Sequence, residues 1–276
     1  MSTLRVTFAA CCAALSTLAV AQGATGSAPS LWELGGISLG VSQSAYPGAD
    51  QQVNRALVLP YFVYRGDVLR ADRETAGIRA MKTETFELDV GFAGAFGSGN
   101  DTIDARQGMR KLGTLVELGP RLKVDLGAGP AGGRLSAEFP ARAVLDLSDK
   151  AAHRGWSLEP KLTYANRTAG GWRYSTSVSA IVADKRLAQT FYEVRSSEAT
   201  AMRPAYTAQS GLVSLRLGTS VSRSLGRDWN LFGFARLDTV AGAANENSPL
   251  VRRSTGASVG LGVAYTWMRS ERAAFD

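Results

Sequence analysis

The chain has 276 residues, 45% of them hydrophobic, and a formal net charge of +7 from 31 basic and 24 acidic side chains. That length allows one large domain or two small ones. The basic residues are interleaved with acidic ones and form no long run, which argues against nucleic acid as a partner and leaves anionic lipid headgroups or cell-wall polymer as neighbours for an exported chain.

Export is read from the first residues. Arg5 precedes an uncharged apolar run from Val6 to Val20, and Ala19-Val20-Ala21 fits a small-x-small cleavage site. The run is too short to span a bilayer. We therefore expect a cleaved signal peptide over residues 1–21 and a mature chain over 22–276 that forms a single domain. Both cysteines, Cys11 and Cys12, fall in the signal, so neither disulfides nor thiol chemistry is expected in the mature chain. After residue 22 no apolar segment approaches the roughly 20 residues of a spanning helix. A membrane location then requires a closed barrel, because lipid cannot satisfy open sheet edges.

The mature chain reads as strands separated by turns. Leu31–Ser42 and Arg55–Tyr64 come first, around a polar loop, and the turn Arg65-Gly66-Asp67 follows. Asp67–Arg73 and Ala76–Lys82 are short, weak strands. Thr85–Phe96 is strong. Thr114–Leu126 alternates most clearly: Val116, Leu118, Leu122, Val124 and Leu126 share one face, while Glu117, Arg121, Lys123 and Asp125 share the other. A soluble sandwich would bury the apolar face, and a transmembrane barrel would turn it to lipid. Gly133–Leu145, Trp156–Ala165, Gly171–Val182, Leu212–Leu225, Asp228–Asp238 and Gly256–Met268 complete a count of twelve.

The rhythm of the links favours the barrel. Even-to-odd links are short throughout. Odd-to-even links are long (43–54, 97–113, 146–155, 183–211 and 239–255), apart from the weak hairpin at Glu74-Thr75. Bacterial barrels place short turns in the periplasm and long loops outside. Aromatics near strand ends (Tyr61, Tyr64, Trp156, Tyr164, Trp172, Tyr265, Trp267) suit an interfacial girdle. The expected fold is all-β, a transmembrane antiparallel up-and-down barrel of twelve strands.

That fold turns a set of charges toward the lumen. The acids are Glu87, Asp89, Glu117, Asp125, Glu138, Glu159 and Asp238. The bases are Arg121, Lys123, Arg134, Arg142, Lys161, Arg173, Arg216 and Arg236. Near-balance favours ion pairing between strands, since a desolvated charge is tolerated only when paired. A mostly occluded lumen is expected, with a narrow selective channel as the other reading. His153 stands alone in the link 146–155 and is read as solvated. No His/Cys cluster has metal-ligand spacing, and neither catalytic residues nor a cofactor are expected.

Short fragments in order resemble the MltA-interacting protein (MipA/OmpV) family of outer-membrane proteins. They are Tyr46-Pro47-Gly48-Ala49-Asp50, Leu59-Pro60-Tyr61, Tyr64-Arg65-Gly66-Asp67, Leu118-Gly119-Pro120-Arg121, Phe191-Tyr192-Glu193-Val194, Arg203-Pro204-Ala205-Tyr206 and Ser248-Pro249-Leu250-Val251. Asn247 stands where the family often has an acid. Ser258, Gly260, Val263 and Tyr265 also look like the signal read by the barrel-assembly machinery, although residues 269–276 extend beyond it. The resemblance implies an outer-membrane scaffold between a murein transglycosylase and a murein synthase, in contact with outer-membrane lipid. A small-solute channel and a surface adhesin acting through the outer loops are the alternatives.

Overall fold

The computed structural model describes residues 30–65, 69–71, 76–82, 86–94 and 103–274, with side chains outside 66–102. The expected signal peptide, both cysteines, and the turns at Gly66-Asp67 and Glu74-Thr75 lie outside the described residues.

Thirteen strands among these residues form one antiparallel sheet. They are β1 (Trp32–Ser44), β2 (Gln52–Arg65), β3 (Leu69–Ala71), β4 (Ala76–Lys82), β5 (Phe86–Gly94), β6 (Leu115–Ala128), β7 (Arg134–Asp146), β8 (Ala152–Leu158), β9 (Lys161–Arg167), β10 (Arg173–Ala183), β11 (Gly211–Leu225), β12 (Trp229–Thr239) and β13 (Thr255–Arg269). A short helix, α1 (Lys185–Tyr192), lies between β10 and β11. Nearly every strand pairs with its neighbours in the chain. The last strand returns to the first, from Glu33↔Arg269 to Ser42↔Val259, and β10 pairs with β11 along its length. The pairings therefore run in a circuit.

The split into β8 and β9 differs from the single strand expected over Trp156–Ala165. Both segments lie between β7 and β10, so they occupy one place in the sheet. Pro160 interrupts them because it has no N–H to donate. Two backbone bonds hold the break together, Glu159 N–H to the Pro140 carbonyl at 3.1 Å and Ala180 N–H to the Pro160 carbonyl at 3.2 Å. The strand also starts earlier than expected. His153 and Arg154, polar and so assigned to a link, continue the ladder with Leu145 opposite His153. Likewise β2 begins at Gln52, inside the expected first loop.

The faces are inverted relative to a soluble protein. Leu122, Leu126, Phe139, Leu162, Val178, Leu217 and Leu237 point outward, Leu261 is 65% exposed and Val58 is 80% exposed. On the same strands Glu138 is only 8% exposed. A contiguous apolar exterior of this kind marks a surface made for an apolar neighbour.

The covered face has an ionic part and an apolar part. The apolar part is built from Ile37, Leu39, Tyr61, Val63, Phe232, Phe234 and Ala264, on β1, β2, β12 and β13. Glycine makes this packing possible: a Cβ on Gly262 would lie 2.5 Å from the Phe232 ring, and one on Gly260 would lie 2.4 Å from Phe234. Tyr61 belongs to this cluster and not to a girdle as expected. It is 9% exposed, and its hydroxyl meets Thr266 Oγ1 at 2.5 Å. Trp156, Trp229 and Trp267 are about half exposed on the exterior.

Candidate functional site

Two arrangements concentrate the chain's chemistry, a band of ion pairs across β6 to β12 and a folded cap made from the long links. The ion pairs follow from register. Lys123 faces Glu138, and Glu138 faces Lys161, so one carboxylate sits between two strands that carry lysine at the matching position. Glu138 takes the Lys161 ammonium at 3.0 Å and the Arg121 guanidinium at 3.6 Å. Arg142 donates to Glu117 at 2.9 Å. Further round, Arg216 bridges Glu159 at 3.4 Å and Asp238 at 2.6 Å, and Ser179 donates to Glu159 at 2.9 Å. Side-chain exposures of 11–24% in the Glu138 and Arg216 clusters put these pairs out of bulk water, where an unpaired charge would be costly.

Four other residues of the expected network are set apart from these clusters by their positions. Arg134 bonds Asp125 beside the turn Gly127–Gly133, but its side chain is 70% exposed, so this is a rim pair. Glu87 and Asp89 lie on β5 in register with Lys123 and Arg121, and their side chains lie outside the described residues. His153 is not a solvated loop residue. It sits in β8 with its ring edge-on to Trp156 at 5.6 Å, and its Nε2 is buried with no hydrogen-bond partner among the described residues. The assembly-signal residues lie on β13, with Ser258 buried and the Tyr265 ring 4.6 Å from Trp229.

The cap is the part that residue-by-residue reading did not anticipate. Links between β1 and β2, β5 and β6, β10 and β11, and β12 and β13 meet at one end of the sheet around a hydrophobic core. Tyr46, Ala188, Tyr192, Val194, Ala208 and Leu250 are almost fully buried there. The α1 helix supplies one wall. Asp184 caps it by accepting from Leu187 N–H at 2.8 Å, and Leu187, Ala188, Phe191 and Tyr192 face inward at helical spacing. The helix start rests against β8 at Gly155, where a Cβ would fall 2.2 Å from Asp184 Oδ1.

Polar bonds tie the links together. Tyr46 Oη donates to the Leu250 carbonyl at 2.6 Å, Tyr192 Oη to the Pro47 carbonyl at 3.1 Å, and Ser248 Oγ to the Tyr192 carbonyl at 2.7 Å. The Gly48 carbonyl accepts from Arg252 N–H and Arg253 N–H. Arg203 is 7% exposed and donates only to carbonyls, those of Ala105, Gln107 and Glu198, which joins the 103–114 link to the 184–210 link. Val194 and Tyr206 form an antiparallel bridge. Asn245, unremarked in the sequence, clamps Gln209 by accepting from its N–H at 2.8 Å and donating to its carbonyl at 2.7 Å. Asn247, the position where an acid was of interest, is exposed.

Burial sets the electrostatics of the cap. It pushes the Tyr46 phenol up to about 12 and raises Tyr192 further, while it lowers the Arg106 guanidinium. The phenols are thus held as neutral donors. Among the described residues no group of three or more His, Cys, Asp or Glu side chains is placed to hold a metal ion. The signal that could have revealed α1 was present: Asp184 in a capping position, followed by apolar residues at helical spacing.

Four of the fragments singled out in the sequence, around Tyr46, Tyr192, Arg203 and Ser248, converge in this cap. No curated protein matches the chain. Among 38 matching chains of solved structure, the COG4313 outer membrane channel from Pseudomonas putida F1 is 13% identical, with a TM-score of 0.36, covering 90% of this chain and all of that one. A FadL homologue from Pseudomonas aeruginosa is 8% identical, with a TM-score of 0.31, covering 86% of this chain and 90% of that one. The model of the family described as MltA-interacting protein MipA matches residues 35–267, nearly the whole described chain, and the protein belongs to that family.

Proposed function

We propose that the circuit of strands is an outer-membrane β-barrel and that the protein works as a non-catalytic scaffold. Counting β8 and β9 as one stave brings the thirteen segments to twelve. On this reading the exterior of Leu, Val, Phe and Trp faces lipid, and β13 carries the signal read by the barrel-assembly machinery. The scaffold reading is supported by what lines the covered face: ion pairs from β6 to β12 on one side, Phe232 and Phe234 on the other, and a hydrophobically packed cap at one end.

The family's name points to a murein transglycosylase as partner, and the resemblance adds a murein synthase. With the long links outside, a periplasmic enzyme meets the opposite end, made by the short turns 129–133, 168–172 and 226–228. Crosslinking in intact envelopes followed by purification tests this reading. The expected result is co-isolation of a murein transglycosylase through residues of the short-turn end. A partner set without murein enzymes, or contacts confined to the cap, overturns the scaffold assignment.

A further inference from the structure

A cavity of about 260 Å³ opens at the side of the cap, where the 103–114 link, α1 and β8 meet. Among the described residues, six cationic side chains line it against three carboxylates. The carboxylates do not cover the surplus. Asp146 is held by Arg154, which donates to it at 2.8 and 3.1 Å and also to Asp149, a carboxylate beside the cavity, at 2.6 Å. One Glu198 oxygen accepts the backbone N–H of Arg195 at 3.1 Å. Glu193 adds the third negative charge and keeps one oxygen buried without a partner. On the cationic side, Arg106 spends its Nη donors on the carbonyls of Phe191 and Arg110. The guanidinium groups of Arg110, Arg186 and Arg195 have no carboxylate partner among the described residues, and all three residues are exposed to solution.

We propose that this cavity binds a phosphoryl group, carried either by a free sugar phosphate or by the headgroup of a phosphorylated glycolipid. Guanidinium forks suit oxyanions that accept paired hydrogen bonds, and like charges in excess of their counter-charge repel one another. A phosphoryl group presents a double charge and acceptor oxygens in several directions, so it can take donors from the 103–114 link and from α1 together. A carboxylate offers two oxygens in one plane and half the charge. The volume equals that of about nine waters at ~30 Å³ each, which leaves room for a sugar beside the phosphate. This inference goes beyond the scaffold reading and does not rest on it, since the cavity belongs to the cap and not to the barrel wall.

The test is calorimetric titration of the full-length protein in non-ionic detergent with inorganic phosphate, glucose 1-phosphate and acetate. Nanodiscs with and without phosphorylated lipid A form a second arm. The expected result is saturable binding of a phosphorylated probe, with little heat from acetate. Affinity should fall about tenfold in Arg110→Gln and in Arg186→Gln, the loss of roughly one charge-assisted contact. Both side chains are exposed, so the unliganded melting temperature should not move. Saturation by the soluble probes assigns a free ligand, and saturation only with lipid A assigns a headgroup. No saturable binding in either arm, equal binding of acetate, or full affinity in both variants overturns the proposal.

Discussion

The Tyr46 hydroxyl donates to the Leu250 carbonyl across 204 residues of chain, and both residues are fully buried. The bond joins the first long link to the last, so it reports on whether the cap is assembled. Tyr46→Phe keeps the ring and removes the donor. Leaving a buried carbonyl unpaired costs about 1–3 kcal/mol. Limited proteolysis should then cut the 184–210 link faster, while strand content by circular dichroism stays the same. Unchanged cleavage would mean the cap does not depend on this bond.

The same residue gives the cap a pH dependence. Tyr46 has its phenol raised from 10.0 to about 12 by burial. An unfolded or opened cap therefore loses that proton first. The stability it contributes is complete below about pH 10 and is lost as pH rises toward 12. Phenolate absorbance should lag behind that of a denatured control over this window, and proteolysis of the cap should rise within it. In Tyr46→Phe the rise should shrink, leaving the share due to Tyr192.

Position decides what each interior charge is worth. Glu138 holds Lys161 and Arg121 together, so Glu138→Ala leaves two covered cations without their shared carboxylate and should cost about 3–5 kcal/mol. Arg134→Ala removes a rim pair whose arginine is 70% exposed and should cost no more than ~1 kcal/mol. Denaturant unfolding in detergent or bilayers, read by tryptophan fluorescence, separates the two. Equal losses would contradict the paired interior.

The occluded lumen proposed above, together with the cap, predicts negligible conductance in planar bilayers. Phe191 is 6% exposed within the cap core, and Phe191→Ala should cost about 3–5 kcal/mol and introduce brief openings. Stable, large single-channel steps from the unaltered protein would sink the scaffold-only reading in favour of a channel.

Topology is testable on intact cells. Met202 is 80% exposed, and Arg195, in the same β10–β11 link, is exposed as well. Trypsin added outside should cut after Arg195 in cells with an intact outer membrane. Cutting only after permeabilisation would reverse the orientation proposed here.

Alternation alone located most of the strands. In Thr114–Leu126 the period-two pattern separates Leu122 and Leu126 from Glu117 and Lys123, and β6 places the former outward and the latter inward. Local pattern suffices there because a strand's two faces are set by its own residues. It fails where a residue's role depends on what lies across the sheet. Tyr61 opens the aromatic run that continues in Phe62 and Tyr64, yet it turns inward because Gly35 and Thr266 leave space and a partner for it. The break at Pro160 was written in the sequence, but only the backbone bonds on either side decide that β8 and β9 still share one place.

The cap shows the limit most clearly. Tyr46, Tyr192, Arg203 and Ser248 were each visible as parts of short fragments, and the family could be recognised from their order. Nothing local could say that they meet, because the bonds joining them span 56 to 204 residues and are made by backbone carbonyls, which every residue carries. The sequence by itself determined the strand rhythm, the charge-bearing face and the family. Tertiary structure alone decided which charges pair, which aromatics pack on the covered face, and that the long links fold into a cap, because each of these depends on contacts between residues far apart in the chain.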